Sequence, residues 1–368
     1  MIPVNEPKLG QKEQEYVMDC LSTGWISSAG KYIEAFEQAW ADYCGMKYGV
    51  AVSNGTTALE AAVASIGLKP GDEVILPSFT IISCALAVVE YGGIPVLVDS
   101  DPDTWCMDVS RVEEKISERT KAIMPVHIYG HPVEMGPLME LARKYNLQII
   151  EDAAEAHGAE YLGQRCGSFG DISCFSFYAN KIITTGEGGM ALTNDPVLAE
   201  NLKAQRNLCF QPRRRFYHTE LGHNYRLTNL QAAIGLAQVE KIGENLEHKR
   251  WMAQAYHDRL KHIPVLQLPV EKEWAWNVYW MYGLVLDEST GMDASQFASR
   301  LKAKGVETRP FFLGMHEQPV FLEQGLFVGE HYPVAARIAR QGLYLPSGLT
   351  LTEAQIDEVC ENIINCLN

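Results

Sequence analysis

Positive charge is scarce in this chain: 31 Lys and Arg stand against 46 Asp and Glu, a formal charge of −15 over 368 residues. That balance excludes a generic nucleic-acid binder but leaves room for a local basic patch around a small anion. Long apolar runs are missing as well. The longest uncharged stretch, Val74 to Val89, is broken by Pro77, Ser78, Thr80 and Ser83. It falls short of the ~18–20 apolar residues of a membrane span, so no transmembrane helix and no membrane partner are expected. None of the nine cysteines, scattered from Cys20 to Cys366, forms a CxxC pair. Zinc-site spacing is thereby excluded, and buried reduced thiols are expected rather than disulfides. The opening residues, Met1-Ile-Pro-Val-Asn-Glu, lack the basic and apolar regions of a secretory leader, and a cytoplasmic location is expected. Neither an internal repeat nor a low-complexity tract or flexible linker occurs.

What is present suits a soluble globular protein, 47% hydrophobic and 21% charged, with a length that suggests two closely packed domains. Up to about residue 200, short β-branched runs alternate with amphipathic stretches, the pattern of parallel strands joined by crossover helices. Strands are expected at Tyr48–Val52, Glu73–Leu76, Pro95–Val98, Ala122–Val126, Gln148–Ile150 and Ser173–Phe177. Helices are expected at Thr57–Ile66, Ile82–Tyr91, Val109–Ser117 and Val133–Tyr145. Thr228–Lys261 reads as one long helical tract linking the domains. Beyond Pro264 come a strand-rich aromatic stretch (Trp274–Leu286), a helix near Ala294–Lys304, a strand at Val306–Phe311 and a final helix opened by a Thr352-x-x-Gln355 capping box. The cluster Trp274, Trp276, Tyr279, Trp280 and Tyr282 reads as core of the second domain.

Three segments carry chemistry. In Phe175-Ser-Phe-Tyr-Ala-Asn-Lys181, followed by the glycine-rich Gly186-Glu-Gly-Gly189, a single lysine comes just after a hydrophobic strand. Partial desolvation there lowers its pKa and frees the amine for a Schiff base; the competing reading is a solvated lysine beside a hairpin. In Leu147-Gln-Ile-Ile-Glu-Asp-Ala-Ala-Glu155 a buried strand ends in acids, at the sheet edge where ligands of open α/β sheets bind. Asp152 can there meet a cationic ring nitrogen; the competing reading for Glu151, Asp152 and Glu155 is a solvated helix start. Ser53-Asn-Gly-Thr-Thr-Ala-Leu-Glu60 passes through a tight turn into a helix, whose free N–H groups can bind phosphate.

Together these segments resemble the DegT/DnrJ/EryC1/StrS family of sugar aminotransferases. The resemblance runs from end to end and includes Gly24-Trp-Ile-Ser-Ser-Ala-Gly30, Pro125-Val-His-Ile-Tyr-Gly130, Gly222-His-Asn-Tyr-Arg-Leu-Thr-Asn229 and Thr308-Arg-Pro-Phe-Phe312. It implies an α/β protein of the pyridoxal-phosphate-dependent transferase fold type I, like aspartate aminotransferase. A large domain with a mixed, mostly parallel sheet would span residues 1–240, and a smaller α+β domain residues 241–368. It also implies a homodimer with shared active sites, pyridoxal 5'-phosphate as cofactor and pyridoxamine phosphate as its alternate form. Lys181 would carry the Schiff base, Asp152 pair with the ring nitrogen, and Gly55, Thr56 and Ser176 hold the phosphate, with Asn224 reaching in from the partner subunit. Glu155 stands where many relatives have glutamine beside the phenolic oxygen. Trp25, Ser27 and Ser28 would lie near the sugar nucleotide. The wording around Lys181 is most like members that aminate C4 of GDP-4-keto-6-deoxymannose with L-glutamate, a step of O-antigen biosynthesis. UDP- or dTDP-linked keto sugars are the alternative acceptors.

Two further expectations concern the ring and the substrates. Relatives commonly carry an aromatic where this chain has Ile81, so either an aliphatic face or Phe79 covers the ring. Arg226 and Arg309 are candidates for clamping the donor's carboxylate, and Arg213–Arg215 read as a loop near the diphosphate rather than an RNA site. His127 and His131 sit in a strand-and-turn context where their spacing has no metal-binding meaning, and no metal is expected. His157 can support Asp152 or simply pack. A pyridoxamine-dependent dehydratase would carry histidine at position 181, and a sensing or scaffold protein of the same fold would need none of Asp152, Ser176 and Lys181.

Overall fold

The computed structural model describes residues 1–211, 214 and 216–367. Arg213 and Arg215 lie outside them. Two helices, α1 (Gln11–Thr23) and α2 (Lys31–Cys44), precede β1 (Tyr48–Val52), and the chain then runs α3 (Gly55–Ser65), β2 (Glu73–Pro77), α4 (Ser83–Glu90), β3 (Ile94–Val98), β4 (Thr120–Ile123), α5 (Met135–Tyr145) and β5 (Gln148–Asp152). A two-residue hairpin, β6 (Glu160–Tyr161) and β7 (Gln164–Arg165), leads to β8 (Ile172–Ser176), β9 (Gly189–Thr193), α6 (Pro196–Arg206), α7 (Asn229–Val239) and α8 (Ile242–Leu260).

Seven strands form the large sheet in the order β1-β9-β8-β5-β4-β2-β3. The pairs from β8 to β3 are parallel, whereas β9 runs antiparallel to both β8 and β1. The sheet is therefore mixed and mostly parallel, and the carboxyl ends of β5 and β8 lie side by side. Helix α3, buried along most of its length, packs on β8 and β9 and brings its N-terminus to the same edge.

The C-terminal part continues through β10 (Leu266–Gln267), β11 (Ala275–Trp276), β12 (Gly283–Leu286), α9 (Ala294–Ala303), β13 (Arg309–Pro310), α10 (Pro319–Leu322), α11 (Pro333–Gln341), β14 (Gly342–Tyr344) and α12 (Glu353–Leu367). Strands β10, β12, β14 and β13 make a four-stranded antiparallel sheet, while β11 joins the β6–β7 hairpin of the first part. Two hydrophobic cores result. The larger fills both sides of the seven-stranded sheet and takes in Phe311, Met315 and Ile338 from the C-terminal part. The smaller joins Tyr256, Leu284 and Phe297 to the apolar stripe of α12. Helix α8 belongs to both, through Ile242 and Leu246 in the first and Met252 to Leu260 in the second.

Several elements depart from the sequence reading, each for a local reason. Val109–Ser117 forms two 3-10 turns rather than a helix. The Asp108 carboxylate accepts the Ser110 N–H and Ser117 N–H donates to the Thr120 hydroxyl, so side chains take over backbone partners. Thr228–Lys261 is two helices, interrupted at Glu240–Lys241. Strand β4 stops at Ile123, two residues short of Pro125, which has no N–H to give a ladder. Of Val306–Phe311 only Arg309–Pro310 pairs as strand, at the sheet's edge, while Val306 bridges Ile2. All nine cysteines are buried and unpaired with one another.

Candidate active site

At the carboxyl edge of the large sheet the three chemistry-bearing segments converge on one cavity of about 480 Å³. Strand β5 delivers Asp152, β8 delivers Ser176, the loop from β8 to β9 delivers Lys181, and the β1–α3 turn delivers Gly55 and Thr56. Helix α4 contributes Ser83, and Trp280, Phe312 and Tyr344 close the far wall from the C-terminal part.

The β8–β9 loop is a hairpin connection, as the competing reading of Lys181 supposed, yet this lysine is not solvated. Its side chain is 10% exposed, and Nζ lies 3.8 Å from Glu155 Oε1 and 3.7 Å from the centre of the Trp280 ring. Burial pulls the amine's pKa below its ordinary value, against the opposing pull of Glu155 and Asp152. Burial likewise raises Glu155, whose other oxygen accepts the N–H of Tyr129 at 2.8 Å. An amine and a carboxylate that each resist ionisation can pass a proton at low cost.

Asp152 is 2% exposed, and its surroundings leave it short of donors. Oδ1 accepts the N–H of Ala154 at 3.0 Å, and among the described residues Oδ2 accepts only the thiol of Cys84 at 3.1 Å. Burial raises its pKa. No helix follows β5 here, since Ala153–Gly158 are turns, so the reading as a solvated helix start does not hold. His157 gives Asp152 no support; its ring packs among Trp40, Phe175 and Phe177.

The start of α3 has free donors of the kind an anion can bind. Asn54 Oδ1 caps the helix by accepting the Thr57 N–H at 2.9 Å, which leaves the N–H groups of Gly55 and Thr56 without an acceptor among the described residues. The Thr56 hydroxyl is 2.8 Å from that of Ser83, and Ser176 stands across the cradle. A Cβ at Gly55 would come within 2.8 Å of Ser176 Cβ, so only glycine lets helix and strand approach so closely. A phosphate cradle, an under-partnered buried carboxylate and a desolvated lysine, all facing one cavity, are the donor set that pyridoxal phosphate requires.

Other expected residues fall elsewhere. Ile81 lines the cavity, and Phe79 is fully buried against Tyr129, Phe311 and Phe312, so the aliphatic side chain is the one presented. Trp280 is not simply core of the second domain, since it forms the cavity wall over Lys181; Tyr282 does pack in that core. Trp25, Ser27 and Ser28 are exposed on the loop between α1 and α2, and Asn224 is exposed on the segment before α7. None of these four lines the cavity of its own chain. Nor do the two arginines: Arg226 donates to Asn207 Oδ1 at 2.7 Å, and Arg309 pairs with Glu307 at 2.6 Å. Arg214 is exposed, its guanidinium over the Tyr217 ring. Sequence reasoning missed Ser83, Tyr178, Asn180, Glu187, Phe312 and Tyr344 as cavity residues. Tyr178 and Asn180 could have been found, since they sit in the Lys181 segment itself.

The chain matches the DegT/DnrJ/EryC1/StrS aminotransferase family over residues 7–364. It is 45% identical to the GDP-perosamine synthase of Caulobacter vibrioides, over 97% of this chain and 96% of that one. It is 36% identical to the dTDP-3-amino-3,4,6-trideoxy-alpha-D-glucose transaminase of Streptomyces venezuelae, over 91% and 86% of the two chains. Among solved structures, S. venezuelae DesV in complex with a ketimine intermediate superposes with a TM-score of 0.90 at 34% identity, over 97% of this chain and 94% of that one. The fold is thus that of the pyridoxal-phosphate-dependent sugar aminotransferases, and no helix among the described residues is long and apolar enough to cross a membrane. With Lys181, Asp152 and the unpaired N–H groups of Gly55 and Thr56 at one cavity, the chain belongs to the DegT/DnrJ/EryC1/StrS aminotransferase family and is a pyridoxal-phosphate-dependent aminotransferase of sugar biosynthesis.

Proposed function

We propose that this enzyme transfers the amino group of L-glutamate to C4 of GDP-4-keto-6-deoxymannose, giving GDP-perosamine. The observation that carries the acceptor's identity is the near-complete match to a GDP-perosamine synthase at 45% identity. The 36% relative that serves a dTDP sugar supports the second reading, a dTDP- or UDP-linked keto sugar.

Pyridoxal phosphate supplies the electron sink that allows a C–H bond next to an amine to break. The protein supplies the rest. The N–H groups of Gly55 and Thr56, with the Ser176 hydroxyl, hold the phosphate. Asp152 keeps a proton on the ring nitrogen, and its shortage of other donors leaves it free to do so. Lys181 Nζ, whose pKa burial lowers, would take the proton from Cα of the donor and pass it to the cofactor in the first half of the cycle, and in the second half carry a proton from the cofactor to the acceptor's C4. Trp280 and Tyr344 limit water around that amine.

A dimer with shared sites fits the charge of the cavity. Among its described lining residues the only cation is Lys181, against Asp152, Glu155 and Glu187. A nucleotide diphosphate needs more positive charge than that. A second copy can bring it on the segment that carries Asn224 and Arg226, and Arg309 is the other candidate for the donor's carboxylate.

Two experiments test this reading. Borohydride reduction of protein mixed with pyridoxal phosphate should fix the cofactor to Lys181, seen by peptide mass mapping, and Lys181→Ala should abolish amination. A label elsewhere, or an active variant, defeats the assignment. Turnover should then be compared across GDP-, UDP- and dTDP-linked 4-keto-6-deoxy sugars; preference for any but GDP replaces the first acceptor with the second reading.

A further inference from the structure

The loop Gly24–Gly30 and the segment Gly222–Asn229 are far apart in sequence, and in the fold they meet at one side chain. Asn229, the first residue of α7, is 1% exposed. Its Nδ2 donates to the Trp25 carbonyl at 2.7 Å and to Cys20 Sγ at 3.2 Å, and its Oδ1 accepts the N–H of Tyr32 at 3.0 Å. Its backbone N–H donates to the Ser27 carbonyl at 2.6 Å. Gly30, which precedes helix α2 at its N-cap, has no side chain to cap it, so Asn229 serves as its cap from a distance. The fit is close: a Cβ on Gly30, whose φ is +145°, would come within 2.4 Å of the Asn229 amide. Apart from Asn229, the described hydrogen bonds of the loop come from within it or from the helices α1 and α2 that flank it, such as that of the Ile33 N–H to the Gly30 carbonyl at 3.3 Å.

We propose that Asn229 is the positioning residue of the acceptor loop: it fixes Trp25, Ser27 and Ser28 for the sugar nucleotide without touching cofactor or amino donor. The inference rests on the proposed reading of that loop as an acceptor contact. A buried amide that ties a loop to a third helix from outside its two flanking helices sets its conformation, and losing such hydrogen bonds allows the exposed residues to scatter.

Asn229→Ala removes the side-chain bonds without burying a charge. The KM for GDP-4-keto-6-deoxymannose should rise about tenfold, the equivalent of one or two buried hydrogen bonds. The glutamate half-reaction, followed by the cofactor's absorbance, should keep its rate. A destabilised fold would slow both halves, whereas a positioning loss shows only in the second. Gly30→Ala crowds the same contact from the loop side and should reproduce the split, which guards against a poorly folded Asn229 variant. Trp25→Ala separates this inference from the reading beneath it. If Trp25→Ala raises the acceptor KM and Asn229→Ala does not, the positioning role is overturned. If neither variant moves it, both the role and the loop's assignment fail.

Discussion

Glu151 and Asp152 are neighbours on β5 that face opposite sides of the sheet, and the protein treats them in opposite ways. Glu151 is fully buried and accepts the N–H groups of Gly167, Phe169 and Gly170, the Ser173 hydroxyl, and His127 Nε2 at 2.9 Å. His127 Nδ1 accepts the Val133 N–H at 2.9 Å, so the tautomer with hydrogen on Nε2 is fixed and the ring donates to Glu151. Burial alone would raise Glu151, but His127 and the other donors outweigh it and hold the carboxyl below its ordinary value. Asp152 has two donors, one of them a weak thiol, and stays raised. A carboxylate saturated by the protein ties structure together. One left short of donors is reserved for a ligand. His127 and Glu151, which lie beside the buried Cys166, are both engaged in these hydrogen bonds.

The comparison predicts a double dissociation. Asp152→Asn should lower kcat by about 10²–10⁴, the rate equivalent of the roughly 3–5 kcal/mol lost when one partner of a buried ion pair is removed. The apoenzyme should be as stable as wild type or slightly more so, because an under-partnered buried charge has gone. Steady-state kinetics and denaturant unfolding of the same preparation check both halves, and equal losses in the two would erase the distinction.

Glu151→Gln should do the reverse. Three backbone N–H groups, a hydroxyl and the His127 ring then compete for one amide oxygen, and unfolding free energy should fall by about 2–3 kcal/mol. The loop Gln164–Asp171 should exchange its amides faster. Acid sharpens the contrast through the signs of the two shifts. A depressed carboxyl stabilises the fold above its unfolded pKa and loses that contribution as pH drops through the folded value, so Glu151→Gln should flatten the acid limb of the stability curve below about pH 4.5. A raised carboxyl prefers its proton in the fold. The stability gained by Asp152→Asn at neutral pH should therefore start to shrink as the pH falls to the folded pKa of Asp152 and vanish only below the lower pKa of the unfolded chain.

Gly55→Ala tests the cradle rather than the ring. Its methyl group would meet Ser176 at 2.8 Å, and overpacking of that kind costs about 1–3 kcal/mol. Cofactor affinity should drop by about 10- to 100-fold, read by equilibrium titration, with the apoenzyme's secondary structure intact.

How much of this was legible in the sequence follows the length of chain over which each contact is made. Lys181, Asp152 and the Gly55–Thr56 turn each sit at the end of a strand or the start of a helix, so pattern and chemistry coincide locally. Their convergence follows from the parallel order of the strands. That Glu151 is saturated with donors was not legible, because alternation along a strand assigns faces without saying which face is packed on protein. Trp280 looked like core because it lies in an aromatic run a hundred residues from Lys181, and nothing local shows that its Nε1 donates to the Asn180 carbonyl at 2.7 Å. The antiparallel strand β9 was hidden behind the glycine-rich turn that precedes it.

The smallest expected effect belongs to Cys84, which sits between the two treatments of a carboxylate. Its thiol is fully buried, donates to Asp152 Oδ2 at 3.1 Å, and lies 3.6 Å from the Thr80 hydroxyl. Burial, with Asp152 beside it, keeps the thiol protonated. A thiol is a weak donor, so Cys84 lowers the basicity of Asp152 slightly without satisfying it. Cys84→Ala should leave Asp152 more basic and its hold on the ring nitrogen's proton tighter, changing kcat by less than about fivefold, the scale of one weak hydrogen bond. The pH dependence of the bound cofactor's absorbance is the sharper readout, and it should shift while the melting temperature moves little. If instead Cys84→Ala matched the kinetic loss of Asp152→Asn, Asp152 would have to be held in place chiefly by its neighbours, and its shortage of donors would no longer explain its function.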